Sequence, residues 1–300
     1  MTALDPDPPA AAVPAPAKAR RPGIPGRWGR PYAWLVWGAV AFFLVNLGAL
    51  ILSVVVDSFA TTWFGTWLPD GYTLDWYADA WREFGLAQVL QVTLVVALAV
   101  VGVSLLFGVP AAYTLARRDF AGKRVVMLLL LLPVLLPPIT YGIPLATVLY
   151  KFQLAGTLFG VIAANLVPAL PFVVLVMTPF IEQIDTNIES AARMCGARTR
   201  QVFTRVLVPL LVPGILAAGI LVLVRTVAMF ELTFLVAGPD SQTLIVALYS
   251  AAFTPGIRAA QAIDAMAVIY TALSATLLTV ALFFVNPTQI VAQVRETPAD

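Results

Sequence analysis

Six apolar runs without a charged side chain, at 34–56, 84–116, 125–150, 152–181, 206–224 and 265–294, constrain this chain more than anything else in it. Each reaches the roughly 20 residues that a helix needs to cross the hydrocarbon of a bilayer. Lipid offers no water to backbone N–H and C=O groups, so every peptide unit must be satisfied inside its own segment. That requirement selects helices over open strands and predicts an all-α integral membrane protein with six transmembrane helices. Composition agrees: 60% of residues are hydrophobic and 11% charged, where a soluble domain carries roughly a quarter charged. Mean hydropathy is +0.90.

The same counts exclude several kinds of chemistry. A net charge of +2, scattered along the chain, is no nucleic-acid footprint, which needs basic residues gathered on one face. The chain has no histidine and one cysteine, Cys195, so a His-centred catalytic site and an internal disulfide framework are both out of reach. Cys195, beside Gly196, reads as a small packing residue. No Gly-x4-Gly-Lys-Ser/Thr segment occurs to cradle phosphates, so any ATP-driven step must come from another polypeptide. The expected chain is not an enzyme and holds no metal or cofactor of its own.

Charge in the connections predicts the orientation. Residues 1–32 are rich in Pro and Ala and carry Lys18, Arg20, Arg21, Arg27 and Arg30, which reads as a disordered tail. No cleavage site follows the first run, which is expected to remain as an anchor. Arg117, Arg118, Lys123 and Arg124 fill the next basic connection, and Arg193, Arg198, Arg200 and Arg205 fill 182–205. The alternate connections are poorer in them: 57–83 holds only Arg82, among five carboxylates, and the third-to-fourth connection only Lys151. The positive-inside rule then places both termini and the 182–205 loop in the cytoplasm. Trp63, Trp67, Tyr72, Trp76, Tyr77 and Trp81 lie in the acidic loop outside, as an interfacial aromatic belt with a short amphipathic stretch.

The cytoplasmic loop has the layout of a docking surface. Thr186-Asn187-Ile188-Glu189 fits a capping box, with Thr186 as cap and Glu189 reaching back to it, so a short helix should start near Thr186. Gly196 is placed to end it in the left-handed conformation, and Pro209 should open the fifth span, which is expected to extend past Arg225 towards Leu235. Ala191 and Ala192 give the helix a bare face; an ordinary amphipathic loop is the alternative.

The spacing Ser190-Ala191-Ala192, three residues, Gly196, nine residues, Val206-Leu207-Val208-Pro209 resembles the EAA loop of permease subunits of binding-protein-dependent ABC importers of type I fold. The family pattern reads Glu-Ala-Ala, three residues, Gly, nine residues, Ile-x-Leu-Pro. Ala191, Ala192, Gly196 and Pro209 match it, Val206 and Val208 are conservative replacements, and Ser190 stands at the motif glutamate with Glu189 one residue earlier. Ala111-Ala112-Tyr113-Thr114-Leu115-Ala116-Arg117 and Leu170-Pro171-Phe172 extend the resemblance over about 88–285.

The resemblance implies an ATPase-docking set of Glu189, Ser190, Ala191, Ala192, Gly196, Val206, Val208 and Pro209, in a coupling helix near 186–196. It also implies partners: ATP-binding cassette subunits that hold ATP and Mg, a second permease subunit, related but different, and an extracytoplasmic solute-binding protein. The location is a bacterial cytoplasmic (inner) membrane. The domain plan is a tail to 32, a first helix and outer loop at 33–87, a permease core at 88–288 with the coupling loop at 182–205, and a cytoplasmic tail at 289–300.

Ile143-Pro144-Leu145, Gln153-Leu154-Ala155-Gly156-Thr157 and Leu170-Pro171-Phe172 resemble the carbohydrate group of these permeases, maltose-transporter-like, which implies a sugar, oligosaccharide or polyol. Gln242-Thr243-Leu244-Ile245-Val246-Ala247-Leu248-Tyr249 is compatible with polyamine-type relatives.

Arg225 and Glu231 are ionisable groups in or near the membrane, candidates for the translocation path because a charge there is expensive. Six residues apart, they should point in different directions; an interfacial position is the alternative for Glu231. Pro133, Pro137, Pro138 and Pro144 crowd the third span, and Pro168 and Pro171 the fourth. Each proline frees a backbone carbonyl and bends its helix. Thr140, Tyr141 and Asn165 are nearby polar groups that could touch a hydroxylated solute or serve helix packing. A secondary transporter would show inverted repeats or midplane coupling-ion carboxylates, and the chain shows neither.

Overall fold

The structure, a computed structural model, describes residues 29–254 and 259–284, with backbone alone at 29–32, 281 and 284. The tail expected at 1–28, the C-terminal tail at 289–300 and the end of the sixth apolar run lie outside the described residues. Two units are distinguished, Met1–Leu52 and Ser53–Asp300. The first contains most of α1 (Gly29–Asp57), which starts a turn earlier than the first apolar run. Its side chains from Ala33 to Leu52 are exposed, an apolar surface suited to lipid.

Among the described residues of the second unit the regular structure is helical apart from one isolated bridge between Ala60 and Tyr72. It contains α2 (Asp75–Glu83), α3 (Leu86–Arg117), α4 (Lys123–Leu135), α5 (Pro138–Lys151), α6 (Leu158–Glu182), α7 (Thr186–Met194), α8 (Thr199–Gln201), a π-helical turn at Val202–Leu207, α9 (Val208–Val227), α10 (Glu231–Val236), α11 (Leu244–Phe253) and α12 (Ala260–Phe284). Five described helical segments are long and apolar enough to cross a membrane, and the bent pair of α4 and α5 makes a sixth.

The third apolar run is therefore two helices, bent by 99° at the break, and not one continuous span. Pro137 and Pro138 together remove two consecutive N–H donors, and a proline pushes the residue before it out of the helical region. Leu136 accordingly sits at φ −76°, ψ 141°. The fifth span departs from expectation at both ends. It begins at Thr199, because α8, the π turn and α9 form one continuous helix through Pro209, and it ends at Val227 without extending towards Leu235. At the end of the π turn the Val208 N–H reaches back five residues to the Phe203 carbonyl. α10 is a separate short helix, and α12 begins five residues before the predicted sixth run.

The core forms where α3 lies against α6 and α9, through Val100, Ala112, Val173, Met177, Ile181 and Val222. Small residues let these backbones approach, since packing and not hydrophobicity drives helix association in lipid. A Cβ on Gly108 would come within 2.6 Å of Val173 Cγ1. At the end where α3 starts, a second cluster joins Ala80, Leu86, Leu244, Ala265 and Met266. The expected aromatic belt divides here. Trp67, Tyr72 and Trp81 are exposed, whereas Trp76 donates to the Ala60 carbonyl at 2.7 Å and the Tyr77 hydroxyl pairs with Ser58 at 2.8 Å.

Candidate functional site

Helix α7 is a two-turn element between α6 and the long fifth span, and its start differs from the predicted capping box. The cap is Asp185, whose carboxylate accepts from the Asn187 N–H at 2.9 Å, and Thr186 is the first helical residue. Glu189 is not folded back to the cap because stronger donors take it. Its carboxylate accepts from the Tyr113 hydroxyl at 2.8 Å and from Arg117 Nε at 2.7 Å, with Arg193 3.8 Å away. Glu189 is 6% exposed and the Arg117 side chain 12%, so this ion pair is largely withdrawn from water, where charge-assisted bonds are strongest. Arg117 also donates through Nη2 to the Ile184 carbonyl at 2.6 Å. One guanidinium thus holds both the approach to α7 and its inward face, and the Tyr113 ring meets Phe203 edge-on at 5.3 Å.

Glu189, expected on the docking face, therefore points into the protein. Ala192 also turns inward, half-buried against the core. The exposed face carries Ser190, Ala191, Ile188 and Met194, the last 85% exposed. The helix ends as predicted: Gly196 has φ +85°, and the Ala197 N–H returns to the Ala192 carbonyl at 3.1 Å, a closure that favours a residue without Cβ. Val206 and Val208 are half-buried and Pro209 exposed, all on the fifth span and not on α7. A cleft of about 310 Å³ opens between α7 and the end of α3, lined by Tyr113, Arg117, Arg118, Glu189, Arg193 and Thr199 among others. The result is a small-faced apolar knob with a basic flank, anchored from behind.

Tyr113 and Arg117 were not predicted for this site. Their i, i+4 spacing puts them on one face at the end of α3, and that spacing within Ala111–Arg117 was the available signal.

The five path candidates do not form one constellation. The Thr140 hydroxyl donates to its own helix, at Pro137 O, 2.7 Å, and the residue is exposed. Asn165, 3% exposed, donates to Val161 O at 2.9 Å and to Thr233 Oγ1 at 3.1 Å, pinning α6 to α10. Arg225 lies over the Phe172 ring at 5.3 Å, and neither it nor Glu231 has an ion-pair partner among the described residues. As expected, the two do not pair with each other. The Tyr141 hydroxyl is buried without a hydrogen-bond partner and lies in the field of both charges. Asn165 and Arg225 line a gap of about 10 Å³, about the least that holds one water, so no solute fits there in this conformation.

Residues 104–289 match the family described as binding-protein-dependent transport system inner membrane component. The trehalose transport system permease protein SugB of Mycobacterium tuberculosis is 31% identical over 192 residues, 63% of this chain and 70% of the relative. A probable molybdenum ABC transporter permease protein of Haloferax volcanii is 29% identical over 245 residues, 79% of this chain and 84% of the relative. In fold, the chain is similar to one from a bacterial ABC transporter involved in the import of the acidic polysaccharide alginate. That similarity has a TM-score of 0.71 at 18% identity and covers 91% of this chain and 99% of the other.

Proposed function

This chain belongs to the family of binding-protein-dependent transport system inner membrane components, a multi-pass permease subunit of an ABC importer, and from that premise we propose what its parts do. Residues 88–288 form the core of one half of a translocation path, completed by a second permease chain. The 182–205 loop is its coupling loop, and α7 docks in a groove of an ATP-binding subunit, which supplies the ATP and Mg. Both termini lie in the cytoplasm, and a soluble binding protein delivers the solute from outside. Tyr141, Arg225 and Glu231 face the path, whereas Asn165 is a packing residue.

The observation that carries this reading is the shape of α7. It presents Ile188, Ala191 and Met194 outward on two turns closed at Gly196, apolar bulk that would be costly to expose to water with no partner to cover it. A cysteine at Ala191, with Cys195 replaced by serine, should crosslink to the ATP-binding subunit in the assembled complex. Crosslinking instead from exposed positions on α2, with none from 191, would reverse the assignment.

The solute we propose is a sugar or polyol, supported by the trehalose relative and the carbohydrate-type segments at 143–145, 153–157 and 170–172. A second reading, a small oxyanion, is favoured by the molybdenum relative and by Arg225, which has no carboxylate partner among the described residues. Uptake of labelled trehalose and of labelled molybdate by the reconstituted importer, with its own binding protein, separates the two.

A further inference from the structure

The end of α3 and α7 are 72 residues apart in sequence at Arg117 and Glu189, yet they are joined by a nearly dry ion pair and one further hydrogen bond, with a third bond from Arg117 to the Ile184 carbonyl that leads into α7. α6 follows any movement of α7 through the chain itself, since only residues 183–185 separate them. α3 has no such covalent tie, although it is the helix against which both α6 and α9 pack. A knob that moved without α3 would shear the seam at Gly108 and Val173. The side chains that bridge α3 to this end are Arg117, bonded to Glu189 on α7 and to the Ile184 carbonyl just before it, and Tyr113, bonded to Glu189.

We propose that Arg117 is a positioning residue that makes α3 move with α7, so that displacement of the docking knob reaches the core of the path as one rigid step. The inference rests on the docking role given to α7 above. The donor set fits: a guanidinium offers its Nε–H and Nη–H in a fixed fork, which here spans a carboxylate and a carbonyl at once, whereas an ammonium acts as a point charge. Glu189 is then a structural grip whose partner is inside the chain, and the face shown to the ATP-binding subunit is apolar with arginines at its edge.

The test uses the full complex in nanodiscs, with Cys195→Ser and a reporter cysteine at Ala87, exposed in the first turn of α3. The reactivity of the Ala87→Cys thiol towards an impermeant maleimide is measured without nucleotide and with ATP and vanadate. With Arg117 present, nucleotide should change that reactivity by about tenfold, within the range usual for coupled sites. Arg117→Met should abolish the change while the ATP-binding subunits still co-purify and hydrolyse ATP. Arg117→Lys should recover only part of it, and the exchanged pair Arg117→Glu with Glu189→Arg should recover more than Arg117→Met.

An undiminished nucleotide response in Arg117→Met overturns the proposal, as does loss of the ATP-binding subunits from that variant. Failure of the docking reading shows separately: crosslinking from Ala191→Cys would then be missing with Arg117 intact.

Discussion

Gly108 and Gly219 both sit on the inner seam, and alanine at each should have different effects. A Cβ at 108 would lie 2.6 Å from Val173 Cγ1 and 2.9 Å from its Cβ, about 1 Å inside ordinary carbon–carbon contact. Val173 cannot turn aside, because a β-branched side chain in a helix is held to one rotamer. The α3–α6 pair must therefore part by about 1 Å, an overpacking cost of about 1–3 kcal/mol. At 219 the nearest atom is Leu105 Cδ1, 3.2 Å away, the end of a flexible side chain that can rotate. Both glycines lie inside helices, so the gain of about 1 kcal/mol in helix propensity from alanine applies at each and cancels in the comparison. The two variants should differ by about 1–3 kcal/mol, or about 2–12 °C in apparent melting temperature at about 2–4 °C per kcal/mol. Fluorescence-detected thermal unfolding of both purified variants in one detergent measures the gap. Equal melting temperatures, or a lower one for Gly219→Ala, would refute the packing argument.

Moving the carboxylate by one residue, Glu189→Ser with Ser190→Glu, keeps composition and charge yet should raise amide exchange across 186–194 by at least tenfold, read by hydrogen–deuterium exchange mass spectrometry; unchanged protection would count against the anchor. Gly196→Val forces a β-branched residue to φ +85°, where no neighbour crowds it. The cost should be about 1–3 kcal/mol of backbone strain, seen as fraying of α7 with the melting of the whole protein little changed. Gly238→Ala puts a Cβ 2.8 Å from the Gly156 backbone and should lower the melting temperature by several degrees, because backbone cannot swing away. Asn165→Leu should cost only about 0.6 kcal/mol, the average for a polar contact between membrane helices, and leave uptake intact; loss of uptake with normal stability would restore it as a path residue.

The spans were legible because their signal is redundant: many residues must all be apolar for a helix to sit in lipid, and no single one decides. α7 was legible for a different reason. Its start and its glycine stop are local backbone chemistry, and Gly196 closes the helix as a left-handed residue should. The cap went to Asp185 because an aspartate one position earlier offers a carboxylate to the Asn187 N–H, which makes Thr186 the first residue of the helix. The break in the third span was visible as prolines but not as an angle, since the direction of the chain after Pro137 depends on what α5 packs against. That partner is α10, where Gly142 meets Leu232 and Leu235, and α10 is an element that had been read as part of the fifth span.

The position of Glu189 shows why matching a pattern residue by residue can mislead about chemistry. Successive residues on a helix are turned by about 100°, so a carboxylate one place early looks in another direction. At 190 the side chain is exposed and the serine there bonds only to its own helix, at Thr186 O. At 189 it faces α3, and the i, i+4 pair Tyr113 and Arg117 supplies a donor for each carboxylate oxygen. A buried glutamate without those donors would be strongly destabilising, so the three residues depend on one another and their coincidence is not incidental to the fold. Such interdependence joins segments distant in sequence. It becomes visible only when Ala111–Arg117 and Thr186–Met194 are taken as two faces of one contact.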